Sequence, residues 1–197
     1  MKLIGLTGGA GSGKSTVGTM LRELGAELVD ADEAAHAAYA PGGPGFDAVA
    51  REFGPEYVQN GGIDRKRLGE LVFNDAGARR RLNAIVHPLV REWMAARTAE
   101  AAERGAEIVV QDVPLLFENG LERLYSETVV VYVPKEMQLR RLVDSRGLSE
   151  QLARAVIAAQ MPIEEKRLLA HHVIDNSGTP EKTREQVEKL WETILSR

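Results

Sequence analysis

The sequence predicts an α/β fold with a five-stranded parallel sheet at its centre. Five short apolar segments have the length and composition of buried strands, and segments with helical spacing of apolar residues separate them. Strands that alternate with helices are joined by crossover connections, so we expect them to run parallel. The predicted strands are Lys2–Leu6, Glu27–Val29, Glu107–Gln111, Thr128–Val133 and His172–Ile174.

The first strand runs into a glycine-rich turn with the pattern G-x-x-x-x-G-K-S at residues 8–15. Between a strand and a helix this pattern is a P-loop, in which backbone N–H groups surround a triphosphate. We expect Lys14 to reach the β- and γ-phosphates and the Ser15 hydroxyl to bind Mg²⁺. The predicted phosphate-binding residues are Gly8, Gly9, Ala10, Gly11, Ser12, Gly13, Lys14, Ser15 and Thr16.

The second strand ends in two aspartates, which bear on the class of P-loop protein. Substrates of open α/β sheets bind at the carboxyl ends of the strands, where Asp30 and Asp32 lie. A kinase acting on a neutral hydroxyl gains from a carboxylate that accepts its proton. We therefore favour Asp32 as a general base and Asp30 as a helix cap. A nucleoside or nucleotide kinase and a nucleotide-dependent ATPase or switch remain alternatives, although the chain lacks the Asn-Lys-x-Asp guanine motif of GTPases.

The connection between the second and third strands is much longer than the others and shows only helical patterns. Helical spacing of apolar residues is present in Asp64–Val72 and Ala76–Glu103, while Asn60-Gly61-Gly62 predicts a loop. We therefore expect one domain, 1–197, that carries an inserted helical subdomain over residues 33–104. Thr179–Ser196 begins with a capping residue and a proline, which predicts a C-terminal packing helix.

Composition and charge exclude several function classes. The net charge of −4 argues against a chain that coats nucleic acid or an anionic membrane. The N-terminal apolar run ends at Gly8, so we predict no signal peptide, and no apolar stretch reaches the length of a membrane span. The absence of cysteine excludes disulfides and thiolate metal sites. We expect a cytoplasmic monomer or weak homo-oligomer with a small-molecule substrate and without nucleic-acid or membrane partners.

Several motifs beyond the P-loop occur in a fixed order along the chain. They are Val29-Asp30-Ala31-Asp32, Leu82-Asn83 with His87-Pro88, Pro114-Leu115-Leu116-Phe117-Glu118, Gln160-Met161, and Val173-Ile174-Asp175-Asn176-Ser177-Gly178. With these motifs the chain resembles the dephospho-CoA kinase family over nearly its whole length. The resemblance implies a three-layer P-loop NTPase fold that uses ATP and Mg²⁺ to phosphorylate the ribose 3′-hydroxyl of dephospho-CoA, with Asp32 as the general base.

The resemblance also implies a set of acceptor and metal residues. His87 and Pro88 fall on the inserted helices that bind the acceptor in the family; alternatively, His87 is a packing residue that ends a helix before the proline. Leu115 and Glu118 are predicted on the substrate side, although the apolar run Leu115-Leu116-Phe117 also has the character of core. Asp112 is predicted to hold Mg²⁺ through water, or else to be a strand-end polar residue.

A lid over residues 140–165 is implied in the same way. Arg140 and Arg141 are predicted to supply positive charge to the migrating phosphoryl group, and Arg146 to bind the nucleotide; a solvated basic helix face is the alternative. The loop after the last strand resembles the family's adenine loop and supplies Asn176 and Gly178. Where the family commonly has Ala-Asp, this chain has His171-His172, whose rings would diverge on a strand, so we expect no metal site there.

Overall fold

The computed structural model describes residues 1–196 and contains the predicted parallel sheet. Within those residues the strands are β1 (Lys2–Gly8), β2 (Glu27–Asp30), β3 (Val58–Gln59), β4 (Gly62–Ile63), β5 (Ile108–Asp112), β6 (Glu127–Tyr132) and β7 (His172–Asp175). Five of them form the central sheet in the order β2-β5-β1-β6-β7. β1 pairs in parallel with β5 and β6, and β6 with β7. Each strand predicted from the sequence overlaps one of these five.

Helices connect the strands as the alternating pattern predicts. They are α1 (Lys14–Glu23), α2 (Ala31–Ala38), α3 (Phe46–Phe53), α4 (Arg65–Asn74), α5 (Ala76–Glu103), α6 (Lys135–Arg146), α7 (Glu150–Ala158), α8 (Ile163–Leu169) and α9 (Pro180–Leu195), with single 3₁₀ turns at Pro55–Tyr57 and Glu122–Leu124. Thr179 caps α9 by accepting a hydrogen bond from the Lys182 amide, as its residue type predicts. No helix in residues 1–196 combines the length and the apolar character needed to cross a membrane.

The chain divides into two compact units, one made of residues 1–29 with those from 101 onward and the other of Asp30–Glu100. In the first unit, strand residues such as Ile4 and Val129 pack with Val17 of α1 and Val187 of α9, all without exposed surface. Burying a side chain of this size contributes about 1.5–3 kcal/mol. The second unit overlaps the predicted insertion and has a core of its own, formed by Ala38, Val49, Phe53, Leu68, Ala78 and Val86.

The expectation that the insertion contains only helices was wrong. β3 and β4 form an antiparallel hairpin in which Val58 pairs with Ile63. Asn60 and Gly61 connect them with φ angles of 51° and 75°. Positive φ at both central residues defines a type I′ turn, and Asn-Gly is its preferred sequence. The Asn-Gly pair between apolar residues was therefore a usable hairpin signal.

Pro88 does not end a helix. α5 runs without interruption from Ala76 to Glu103 and contains Pro88 near its middle. A proline inside a helix removes the hydrogen bond to the carbonyl four residues earlier, here that of Ala84. Ala84 and Pro88 lie on the exposed side of the helix, where solvent can bind that carbonyl. The interpretation of His87 as a residue at a helix boundary was therefore wrong.

Candidate active site

The P-loop forms an open nest of backbone amides between β1 and α1. Gly13 has a φ angle of 84°, and its missing side chain leaves room for the Asn176 amide group, which a Cβ would overlap. Within residues 1–196, nothing accepts a hydrogen bond from the N–H groups of Gly11, Gly13, Lys14 and Ser15. Amides arranged this way at the start of a helix bind phosphate groups.

Lys14 forms an ion pair with Asp112 at the carboxyl end of β5. β1 and β5 are adjacent, and Asp112 lies opposite Leu6, two residues before the loop begins. The carboxylate is almost completely buried, with 3% of the residue exposed. The pair therefore places the Lys14 ammonium and the Asp112 carboxylate beside the backbone amides of the P-loop. The Ser15 hydroxyl lies on the first turn of α1.

The Ser15 hydroxyl and the Asp112 carboxylate suit Mg²⁺, which takes few ligands from the protein, better than a metal ion that is bound entirely by side chains. Among residues 1–196 there is no cluster of three or more histidine, aspartate or glutamate side chains that could hold a metal ion. Mg²⁺ is commonly bound by one or two protein oxygens together with phosphates and water, and the Ser15 hydroxyl and Asp112 carboxylate are ligands of that kind.

Arg141 on α6 is bonded to the backbone of two loops. Its guanidinium donates to the carbonyl oxygens of Gly11 at 3.5 Å, Ser12 at 3.3 Å and Asn176 at 2.8 Å. The Asn176 side chain reinforces this link, since its Nδ2 donates to Ser12 O at 2.8 Å and its Oδ1 accepts from Thr183. Arg141 and Asn176 therefore hold the loop after β7 against the P-loop.

A cavity of about 440 Å³ opens beside these two loops. Six residues predicted to bind the nucleotide line it: Gly11, Gly13, Thr16, Arg146, Asn176 and Gly178. Arg141 also lines it, together with Ser145 and Pro180, which sequence reasoning missed because they belong to no phosphate-binding pattern. Arg140 is not among the lining residues and its side chain is exposed on α6.

The segment after β5 differs from the prediction at Leu115 and contains an ion pair that the sequence did not predict. Leu116 and Phe117 are buried as core, but 40% of Leu115 is exposed, so the expectation of a fully buried run was wrong there. The Glu118 Oε1 atom lies 2.8 Å from Lys166 Nζ and also accepts from the Met161 amide at 2.9 Å.

Lys166 is fully buried on α8, and this residue escaped sequence reasoning. Besides Glu118, its ammonium bonds the Pro114 carbonyl at 3.0 Å. Burial is the main cause that lowers the pKa of Lys166, while Glu118 opposes the shift and Lys14 adds to it. The residues Glu164-Glu165-Lys166-Arg167 are uniformly charged, so the sequence carried no signal that one of them points into the core.

In the second unit, Asp30 and Asp32 lie in different settings. The Asp30 carboxylate caps α2 and accepts from the Asp32 amide at 2.7 Å, which confirms its role as a cap. Asp32 lies in the first turn of that helix with its side chain exposed. An exposed carboxylate at this position is accessible to a substrate hydroxyl, as a general base must be.

A second cavity, of about 330 Å³, lies along α5 in the same unit. His87 and Pro88 line it together with Arg80, Asn83, Ala84 and Arg91. Partial burial and the neighbouring Arg91 lower the pKa of His87 below its usual value, which favours the neutral ring. Two arginines and a neutral imidazole suit an anionic ligand that accepts hydrogen bonds.

A match to a family model shows the family of this chain. A model of the dephospho-CoA kinase family matches residues 2–182. The chain belongs to the dephospho-CoA kinase family. Members of this family use ATP to phosphorylate dephospho-CoA in the final step of coenzyme A synthesis, so the chain is a kinase, and the family predicted from the motifs is confirmed.

Individual proteins are similar to this chain in sequence or in structure. The chain is 49% identical over 195 residues to the dephospho-CoA kinase of Geobacillus kaustophilus, covering 97% of each chain. Its structure matches the crystal structure of TT1252 from Thermus thermophilus with a TM-score of 0.85, 37% identity and coverage of 98% of this chain and 97% of that one. The dephospho-CoA kinase from Campylobacter jejuni matches with a TM-score of 0.72, 28% identity and coverage of 98% and 96%.

The His171-His172 pair, one departure from the usual family motif, has separate partners in the structure. The His171 ring bonds Thr128, whereas the His172 ring contacts the Glu127 carboxylate. Both contacts lie at the amino ends of β6 and β7, away from the P-loop at the carboxyl end of β1. The pair therefore belongs to the packing of the sheet edge.

Proposed function

We propose that this chain transfers the γ-phosphoryl group of ATP to the ribose 3′-hydroxyl of dephospho-CoA and releases coenzyme A and ADP. The observation that carries the proposal is the set of four P-loop amides, at Gly11, Gly13, Lys14 and Ser15, that have no acceptor within residues 1–196. These amides lie beside the Lys14 ammonium in a chain that belongs to the dephospho-CoA kinase family. The lack of cysteine favours a cytoplasmic location for this reaction.

On the nucleotide side, the nest from Gly8 to Thr16 binds the triphosphate and Lys14 contacts its β- and γ-phosphates. The adenosine part enters the 440 Å³ cavity, which Asn176 and Gly178 line and where Arg146 adds positive charge. Ser15 and Asp112 would hold Mg²⁺. When bound there, Mg²⁺ would neutralise charge on the phosphates.

On the acceptor side, Asp32 accepts the proton of the ribose hydroxyl as that oxygen attacks phosphorus. His87 binds the anionic part of dephospho-CoA in the cavity of α5, which Pro88 also lines and where Arg80 and Arg91 add positive charge. The exposed Leu115 offers an apolar contact. Glu118, predicted on the same side, keeps a second carboxylate oxygen that is buried and has no hydrogen-bond partner within residues 1–196.

The lid over residues 140–165 supplies charge and excludes water. Arg140 has an exposed side chain that is available to the migrating phosphoryl group. Arg141 contributes from its position against the Gly11 and Ser12 carbonyls, so its charge lies beside the nest before any ligand binds. Positive groups fixed in advance stabilise developing negative charge without reorganisation during the reaction.

The direct test is ADP release from ATP and Mg²⁺ with dephospho-CoA, AMP, adenosine or no acceptor. We expect release that depends on dephospho-CoA, with coenzyme A identified as the product by mass. ADP release that requires AMP or adenosine instead would agree with a kinase activity but would refute dephospho-CoA as the acceptor. Slow release that is indifferent to every acceptor would favour an ATPase or a switch.

His87 gives the acceptor site a predictable dependence on pH. Its pKa lies below the ordinary value of 6.5, so the free enzyme gains the imidazolium charge only as the pH falls below that value. The negative charge of bound dephospho-CoA raises the pKa of His87 again, and protonation of its ring therefore accompanies binding. We expect KM for dephospho-CoA to fall about three- to tenfold between pH 8 and pH 6, because a charged donor strengthens the hydrogen bond.

The measurement is KM against pH for the wild type and for His87→Gln, which should have a flat profile. His36→Gln is the matched control, since His36 is an exposed histidine of the same unit that does not line the cavity. Parallel profiles in wild type and His87→Gln would contradict the assignment.

A further inference from the structure

The amide of Ala10 differs from the open amides of the P-loop because a side chain already binds it. Ala10 N donates to the Oε1 atom of Gln160 at 2.8 Å. Gln160 lies 150 residues further along the chain, just after α7 and at the C-terminal end of the segment predicted as the lid. The carboxamide of Gln160 therefore connects the end of this segment to the first half of the P-loop.

The backbone next to Gln160 is held by the buried ion pair. Glu118 Oε1 accepts from the amide of Met161, the residue that follows Gln160, and pairs with the fully buried Lys166. Lys166 in turn donates to the Pro114 carbonyl, which also accepts from the Thr7 hydroxyl at 3.2 Å. Since Thr7 immediately precedes the P-loop, this chain of contacts anchors both partners of the Gln160–Ala10 bond.

We propose that Gln160 is a positioning residue for ATP: the Glu118–Lys166 pair fixes its backbone, and its side-chain oxygen fixes the Ala10 peptide so that the P-loop keeps the conformation that receives the triphosphate. Ala10 is flanked by Gly9 and Gly11, whose neighbouring peptide planes rotate at little cost. Without an acceptor for Ala10 N–H, the peptide samples orientations that no longer align the adjacent Gly11 amide. Binding then has to restore the order that Gln160 provides in advance.

The primary variant is Gln160→Met, which keeps the length of the side chain and removes the acceptor. One neutral hydrogen bond accounts for roughly a two- to tenfold change in affinity. We expect KM for ATP and Kd for a non-hydrolysable ATP analogue to rise by that factor, while KM for dephospho-CoA and the melting temperature stay unchanged. Hydrogen exchange of the Ala10 amide should become faster in the absence of ligand.

Gln59→Met is the matched control, because Gln59 is an exposed glutamine on β3, outside the lid, whose side chain has no hydrogen bond in residues 1–196. It should behave like wild type in every measurement. Equal effects in the two variants, or unchanged analogue affinity and Ala10 exchange in Gln160→Met, would overturn the proposal. A loss of affinity for both substrates together with a lower melting temperature would also overturn it, since that pattern indicates a general structural role.

A double-mutant cycle tests the part played by the ion pair. If Glu118 acts through Gln160, Glu118→Met, which removes the oxygen that accepts from the Met161 amide, should raise the Kd for the ATP analogue. Gln160→Met should then add little further change in the double variant. Full additivity would refute the link between Glu118 and Gln160. The role of Gln160 is tested separately by Gln160→Met, which does not depend on whether Glu118→Met folds.

The inference rests on the proposed use of ATP, and the two can fail separately. If no acceptor is phosphorylated, the proposed function fails. Exchange at Ala10 and the affinity for the ATP analogue need no turnover, and they still decide whether Gln160 positions the P-loop.

Discussion

Asp32→Asn is expected to lower kcat by about 10²- to 10⁴-fold while KM for dephospho-CoA changes little. Asparagine keeps the size of the side chain and its place in the first turn of α2, but its amide cannot accept the proton of the ribose hydroxyl. The loss should therefore appear in the chemical step. Single-turnover rates with saturating ATP and dephospho-CoA measure that step directly, and the analogue affinity should be unchanged.

Asp30→Asn provides a control two residues away. Asp30 caps α2 through its side-chain oxygen, and asparagine caps helices about as well as aspartate. We expect kcat within about twofold of wild type for this variant. An equal loss in both variants would mean that the negative charge of the segment matters rather than a base. A rise in KM alone for Asp32→Asn would assign Asp32 to positioning of the acceptor.

The central sheet and the P-loop could be predicted because their signals are local. A run of apolar residues such as Val129–Val131 and the G-x-x-x-x-G-K-S pattern are each contained in a short window, and each has few structural alternatives. The caps at Asp30 and Thr179 belong to the same class, since a cap depends on residues two or three positions away.

The contacts that complete the candidate site could not be predicted because they join distant parts of the chain. Gln160 meets Ala10 across 150 residues, and Arg141 meets Gly11 across 130. Nothing in the sequence near Lys166 distinguishes it from the exposed Arg167, yet one is fully buried and the other lies in solvent. Tertiary packing alone decides which charged side chain of α8 turns inward.

The helix predicted over Ala76–Glu103 is confirmed, but the core interpretation of Leu115 and the alternative in which a helix ends before Pro88 were wrong, for related reasons. An apolar residue within an apolar run has the pattern of core, but Leu115 lies in a turn between β5 and β6 and points outward. Proline usually limits a helix, but at Pro88 the carbonyl that loses its partner belongs to an exposed residue, so the helix continues at moderate cost. Both residues are among those predicted to contact the acceptor.

Lys14→Ala is expected to lower kcat by about 10³-fold or more and to weaken ATP binding, because no other group would replace its ammonium at the β- and γ-phosphates. The variant also removes the ion-pair partner of Asp112, a carboxylate that is almost completely buried. Some loss of stability is therefore expected alongside the loss of activity. Steady-state rates and thermal unfolding of the same preparations measure the two effects.

The double variant Lys14→Ala/Asp112→Asn separates the loss of activity from the loss of stability. Neutralising Asp112 removes the buried negative charge that Lys14 faces in the wild type, so the melting temperature should recover toward wild type. The activity should stay at or below the level of Lys14→Ala, because Asp112 is also a proposed Mg²⁺ ligand. Lys182→Ala, at an exposed lysine on α9, should change neither quantity. Recovery of activity together with stability would mean that Lys14 acts mainly by compensating the charge of Asp112, and the assignment of its ammonium to the transferred phosphoryl group would then be wrong.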